Sequence, residues 1–275
     1  MVAIGNGIGV SFLKGGGGGA PANPDFISIW DTTKAGSASD TVVLPLVSGG
    51  VYSGTIDWGD GNTSALSYAN RQHTYASGGV YTITISGTIE GWGFLGTGDC
   101  LKIIEISNWG TLSPSTGSLS SGGNFLGCRN LYITALDSPI IAPNTYLSSA
   151  FRELPAQNVD FTNWENTSNI VLMNNTFRSS AIVPDISTWH IENVSSGFYM
   201  FRGGNVGFGQ SLYEQTLISW EARLQSLYPN GSGYTLTPIW SFGAASVYSS
   251  GSDAETARTS LVINYGWTIT DGGAV

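Results

Sequence analysis

The sequence predicts a mainly β protein in which a small β-sandwich is followed by a short solenoid of stacked repeats and closed by a small α/β cap. Three observations lead there. Phe125, Phe151, Phe177 and Phe201 recur at intervals of 26, 26 and 24 residues, and Trp164 and Trp189 keep step at 25. A unit of that length cannot bury an apolar face alone, so its neighbours must stack on a shared core. Upstream, short β-branched and aromatic runs alternate with Gly, Asp, Asn and Ser, the texture of an all-β unit. Downstream, one stripe of apolar residues at helical spacing breaks that texture.

Composition agrees. Of 275 residues 38 are Gly, 11% are charged and 12% are aromatic, with nine Trp. Such a chain folds, mostly without helix, and meets solvent through neutral polar groups. Nineteen acidic against ten basic residues give a net charge of −9, which repels phosphate backbones and anionic head groups. No nucleic-acid partner is therefore expected. Since no run of about 18 apolar residues exists, no membrane insertion is expected either.

Residues 1–24 read as an N-terminal docking segment with a Gly-rich linker. Val2, Ile4, Ile8, Val10 and Phe12 fall on even positions, the period of a strand, and Gly15 to Gly19 follow as a flexible tether. A docking strand and a loose terminus both fit this pattern. The opening lacks a basic stretch and its apolar positions are broken by Gly5, Gly7 and Gly9, so it is a poor secretory signal.

Residues 25–95 carry strand patterns at Phe26 to Trp30, Thr41 to Leu46, Gly54 to Trp58 and Val80 to Ile85. Asp57-Trp58-Gly59-Asp60-Gly61, then His73-Thr74-Tyr75, then Gly79-Val80-Tyr81 resemble the PKD family of immunoglobulin-like domains over about 65 residues. The resemblance implies an Ig-like β-sandwich acting as a spacer or adhesion module. Asp57 and Asp60 are two carboxylates in a tight turn, too few for a calcium cage, so turn-capping is the preferred role. His73 reads as a hydrogen-bonded structural residue.

Residues 96–210 carry the repeats. Val159 to Trp164 and Ile186 to Trp189 echo the ending of Leu101 to Trp109, and each later Trp is followed by Asn169-Ile170 or Asn193-Val194 and then by Phe-Arg. Asp185-Ile186-Ser187-Thr188-Trp189, Asn193-Val194 and Met200-Phe201 resemble the BspA-type branch of leucine-rich repeats, known from bacterial surface proteins and some bacteriophage products. The resemblance covers about 110 residues and implies a leucine-rich-repeat solenoid; Leu131 to Asn144 departs from it by lacking the Trp. The Phe and Trp residues are expected to be core. Arg152, Arg178 and Arg202 recur with the same period and are the candidate partner-binding residues, a ladder suited to carboxylates or sulfates of a glycan, or simply solvated.

Residues 211–275 form the capping region. Leu217, Trp220, Leu224 and Leu227 make one helical stripe ahead of Pro229, a second helix is predicted from Ala254 to Ile263, and a strand over Trp267 to Thr270.

No catalytic, cofactor or metal site is expected. His73 and His190 lie in different units, no Gly-x-Ser-x-Gly elbow or Cys-His pair is present, and no metal-ligand spacing occurs. Gly5-Asn6-Gly7-Ile8-Gly9 lacks the context of a nucleotide loop. Cys100 and Cys128 could be one disulfide or two buried thiols.

Adhesion-like modules without an export signal point to a non-enzymatic bacteriophage virion structural protein, a spike, tail fibre or other exposed appendage. Its expected partners are other virion proteins, through Met1 to Gly19, and a host cell-surface glycan or protein, with a homo-oligomer left open. The expected location is the virion surface. The alternative is a bacterial cell-surface adhesin or lipoprotein, and the third reading is a glycan-degrading enzyme with paired carboxylates.

Overall fold

The computed structural model describes residues 24–114, 122–202 and 207–275. The expected docking strand and Gly-rich linker lie outside the described residues. Those described form a mainly β structure with sixteen strands and two α-helices.

The front of the chain builds β1 (Phe26–Asp31), β2 (Thr41–Val43), β3 (Leu46–Asp57), β4 (Thr63–Ala65), β5 (Gln72–Thr74) and β6 (Val80–Trp92). Period-two burial holds in β1, where Phe26, Ser28 and Trp30 point inward. Ser28 is tolerated there because the Trp30 indole N–H donates to its hydroxyl at 2.9 Å. Pro45, which has no N–H to give a ladder, separates β2 from β3. β3 and β6 run longer than their sequence patterns and pair antiparallel, with Gly54 opposite Gly87. A Cβ on either would sit 2.0 Å from a carbonyl oxygen of the other strand, so only glycine fits the crossing.

The sheet does not stop at residue 96. β7 (Ile103–Asn108) pairs antiparallel with β1, β8 (Leu112–Ser113) runs parallel to β6, and β9 (Tyr132–Ile133) runs parallel to β7. The result is one seven-stranded sheet in the order β4-β3-β6-β1-β7-β9, with β8 on β6, while β2 and β5 form a separate pair.

Beyond it lie β10 (Thr145–Tyr146), β11 (Gln157–Asp160), β12 (Ile170–Leu172), β13 (Ile182–Asp185) and β14 (Ser196–Gly197). β10 pairs parallel with β12 and β11 with β13, Gln157 to Asp160 facing Ile182 to Asp185, so each turn of chain lies in register over the next. The Phe N–H groups continue the ladder. Phe125 donates to the Ala150 carbonyl (2.8 Å), Phe151 to Thr176 (2.9 Å) and Phe177 to Met200 (3.0 Å). Left-handed residues flank the rings, Gly123 and Gly127, then Ser149 and Glu153, then Asn175 and Ser179, and bend each turn at the same corner.

The rings follow the backbone. Phe125, Phe151, Phe177 and Phe201 stack face to face at centroid distances of 5.9, 5.8 and 5.3 Å, and Trp164 lies on Trp189 at 5.1 Å. The Trp series shows what the irregular stretch does. With no Trp between Leu131 and Asn144, Trp109 meets Trp164 directly, edge to face at 5.5 Å. Where β9 and β11 leave a gap in strand pairing, the Gln157 side chain fills it: its oxygen accepts from Ile133 N–H and its amide donates to the Leu131 carbonyl, both at 2.9 Å.

The C-terminal region contributes α1 (Gln210–Leu227), β15 (Ile239–Tyr248), α2 (Asp253–Ile263) and β16 (Thr268–Ala274). Leu217, Trp220 and Leu224 of the predicted stripe are buried with Tyr213, while Leu227, at the helix end, is exposed. Ser252 caps α2 by accepting from the Glu255 N–H, and the Glu255 carboxylate accepts from the N–H of Gly251, the residue before the cap. β14, β15 and β16 form a parallel three-stranded sheet, so the stack passes into an α/β arrangement. Trp220, Trp240 and Trp267 pack together under it at 5.1 to 6.2 Å. A single cluster of buried apolar side chains extends from Phe26 to Trp267.

Candidate functional site

The periodic arginines occupy one corner of the stack. Their carbonyls belong to the ladder, accepting from Gly127, Glu153 and Ser179 N–H groups at 3.0 to 3.1 Å, which fixes where each side chain emerges. Backbone pairing spaces them about 4.8 Å apart along the stack. Each guanidinium has its own partner. Arg152 lies 3.3 Å from Glu153, Arg178 donates to the Asn175 side chain at 3.2 Å, and Arg202 sits over the Tyr199 ring at 4.2 Å. Glu153 also receives Arg129 at 2.5 Å, and that hydrogen bond holds its carboxyl below the ordinary range. The row is thus partly neutralised from within.

The other residues singled out in the sequence hold local structure. Asp57 accepts from Gly59 N–H and Asp60 from Asn62 N–H, each capping the tight turn. His73 stacks on Trp58 and hydrogen-bonds Asp60 at 2.8 Å. Burial works against ionisation of Asp60, but the hydrogen bonds from His73 and Asn62 outweigh it and bring its pKa down to about 2. Cys100 and Cys128 are both buried free thiols, and burial raises their pKa values.

A polar cluster that the sequence did not advertise braces the front unit. Lys102 is fully buried, and its ammonium donates to the carbonyls of Ser37, Ala38 and Thr41 and to the Ser37 hydroxyl at 2.7 to 3.1 Å. Asp99, 2% exposed, accepts from Ser37 N–H, Ser37 hydroxyl and Val43 N–H at 2.6 to 2.8 Å. Burial lowers the Lys102 pKa.

A cavity of about 420 Å³ lies where the edge of the stack meets the segment after α1. Its walls include Asn144, Asn169, Asn193, Glu192, Tyr228 and Tyr234. The asparagines arrive one per turn. Asn169 donates its side-chain N–H to the Ile141 carbonyl and Asn193 to the Ser168 carbonyl, both at 2.8 Å, which holds the amides and leaves their oxygens as acceptors. Glu192 is 7% exposed. Its Oε1 receives Arg223 of α1 at 2.7 Å, while its Oε2 is buried without a hydrogen-bond donor among the described residues. Tyr228 and Tyr234 face each other at 5.3 Å and 58°. Burial, with Tyr228 and Glu192 nearby, pushes the Tyr234 phenol up to about 12, so it stays a neutral hydroxyl, and the Trp267 indole N–H donates to it at 3.3 Å.

Among the described residues, no group of three or more His, Cys, Asp or Glu side chains converges as a metal cage would, and no helix is long and apolar enough to cross a membrane. Of the six wall residues only Asn169 and Asn193 stood out in the sequence, as members of the repeat. Glu192, Arg223, Tyr228 and Tyr234 are joined by packing of α1 and its following loop, and no local pattern marks them. No family model, curated protein or solved structure matches the chain.

Proposed function

We propose that this chain is a non-enzymatic attachment protein of a bacteriophage virion, an exposed spike, fibre or similar appendage that holds the particle to a glycan or protein on the host surface. In this reading residues 25–95 are a PKD-type immunoglobulin-like module, residues 96–210 a BspA-type leucine-rich solenoid, and residues 211–275 its cap.

The observation that carries the proposal is the in-register ladder of Phe rings and backbone hydrogen bonds from Phe125 to Phe201. Such a ladder is a stiff scaffold whose interior is spent on packing and whose edges repeat polar groups about every 4.8 Å. Repeating edges suit a partner that is itself extended and repetitive, as surface polysaccharides are. The net charge of −9 favours a neutral or cationic partner over an anionic one.

Immunogold labelling of particles from the native source, with antibody raised against the full chain, tests the location. The proposal expects gold on the exterior of tails or capsids; purified particles that carry none of this chain would defeat it.

A further inference from the structure

We infer that the far end of the arginine row, Arg178 and Arg202 with the exposed ring of Phe198 beside them, is a docking surface for an acidic glycan whose carboxylates pair with the two guanidiniums. The inference rests on the attachment reading and gives it a ligand class.

The corners of the stack set the row. Each arginine meets the left-handed residue three positions before it, Arg178 on Asn175 and Arg202 on Tyr199, so the two side chains follow the same course. The Ser179 N–H donates to the Arg202 carbonyl at 3.0 Å, which places the two residues on adjacent turns about 4.8 Å apart.

What changes along the row is the acid. Glu153 follows Arg152 and takes both Arg152 and Arg129, whereas the same place on the next turn is Ser179, exposed and neutral. Among the described residues Arg178 has only an amide partner and Arg202 only a ring. Four arginines against one glutamate leave this corner positive in a chain of net charge −9. That overall charge disfavours an anionic partner at a distance, but salt screens it beyond about 8 Å, so contact at the row is decided by the guanidiniums.

The neighbouring rings select a sugar. Phe198 is 38% exposed and lies 3.7 Å from the Tyr199 ring, which carries Arg202 at 4.2 Å. A uronate joins an apolar C–H ring face to one carboxylate, and an exposed ring beside a guanidinium matches both halves; a phosphate or a Glu side chain has no ring face to use. Stacking on Tyr199 holds the plane of Arg202, and Arg178 gives one nitrogen to Asn175, so each keeps N–H groups for a carboxylate.

Isothermal titration calorimetry of the full chain with a short oligogalacturonate tests this, against a neutral galactose oligomer of the same length and an oligoglutamate of the same charge. The oligogalacturonate should bind saturably, about tenfold or more tighter than either control, and more weakly as salt rises. Arg178→Gln with Arg202→Gln should weaken it about tenfold or more at an unchanged melting temperature, because neither side chain pairs with an acid in the fold. Phe198→Ala should weaken the oligogalacturonate and leave the oligoglutamate unaffected. Arg71→Gln makes one of these charge changes on the front unit, where Arg71 lies over Tyr68, and should stay within about twofold of wild type. No saturable binding, oligoglutamate binding as tight, wild-type affinity in the double variant or an equal loss in Arg71→Gln overturns the inference. Adsorption of the same proteins to host cells separates the two claims. A double variant that loses the oligogalacturonate but adsorbs normally leaves the attachment reading standing without this surface, whereas oligogalacturonate binding without any cell adsorption keeps the surface and removes the attachment reading.

Discussion

Removing one ring from the middle of the Phe ladder should cost more than its size alone suggests. Phe151 is 1% exposed and touches Phe125 at 5.9 Å, Phe177 at 5.8 Å, Phe161 at 5.3 Å and Trp164 at 6.0 Å. Phe151→Ala deletes the contact on both sides of a turn, and its neighbours are held by the backbone ladder, so they cannot close the gap. A buried Phe→Ala change costs about 3–5 kcal/mol, and this site belongs in the upper half of that range. At roughly 2–4 °C per kcal/mol for a chain of this size class, the melting temperature should fall by about 8–20 °C. The assay is guanidinium and thermal unfolding of the wild type, of Phe151→Ala and of Phe198→Ala, a ring that is 38% exposed. A Phe151→Ala loss below about 1 kcal/mol, or equal to that of Phe198→Ala, would refute a shared core running through the ladder.

Three further outcomes are expected. Lys102→Met should destabilise the chain by about 3–5 kcal/mol by leaving the carbonyls of Ser37, Ala38 and Thr41 without their donor, read as a drop in the unfolding midpoint. Asp60 has a folded pKa of about 2 against about 3.9 unfolded, so its contribution is present above pH 4 and is lost as the pH falls through 2. An acid titration of stability should therefore slope downward between pH 4 and 2, and Asp60→Asn should flatten part of that slope. Gln157→Ala removes the amide that bridges the unpaired step of the stack and leaves the Ile133 N–H and Leu131 C=O without it, costing about 1–3 kcal/mol; faster hydrogen exchange at Ile133 is the direct readout.

The stack was legible because its physics is periodic. Every turn must put one ring on the last, so the Phe spacing is written into the chain, and the left-handed corners recur with it at Ser149, Asn175 and Tyr199. The helices were legible through spacing and a stop, since Leu217, Trp220 and Leu224 face the core and Pro229 follows. β15 was not, because Ile239 to Tyr248 includes Gly243, Ala244 and Ala245 and reads as a turn until Trp240 and Phe242 find the rings of α1. The continuity of the first sheet was hidden too, since β1 pairs with a strand about 80 residues later. The arginines were visible as a row, but their partners Glu153, Asn175 and Tyr199 differ from turn to turn and follow no pattern. The cavity depends on Tyr228 and Tyr234 lining the same space as Asn169 and Asn193, 35 to 65 residues earlier, which only tertiary packing creates.

Saturable adsorption to intact host bacteria tests the attachment account most directly. Fluorescently labelled full chain should bind host cells with a plateau, be displaced by excess unlabelled chain, and fail to bind cells stripped of surface polysaccharide or protein receptor. Equal, non-saturable association with host cells, stripped cells and unrelated bacteria would contradict it.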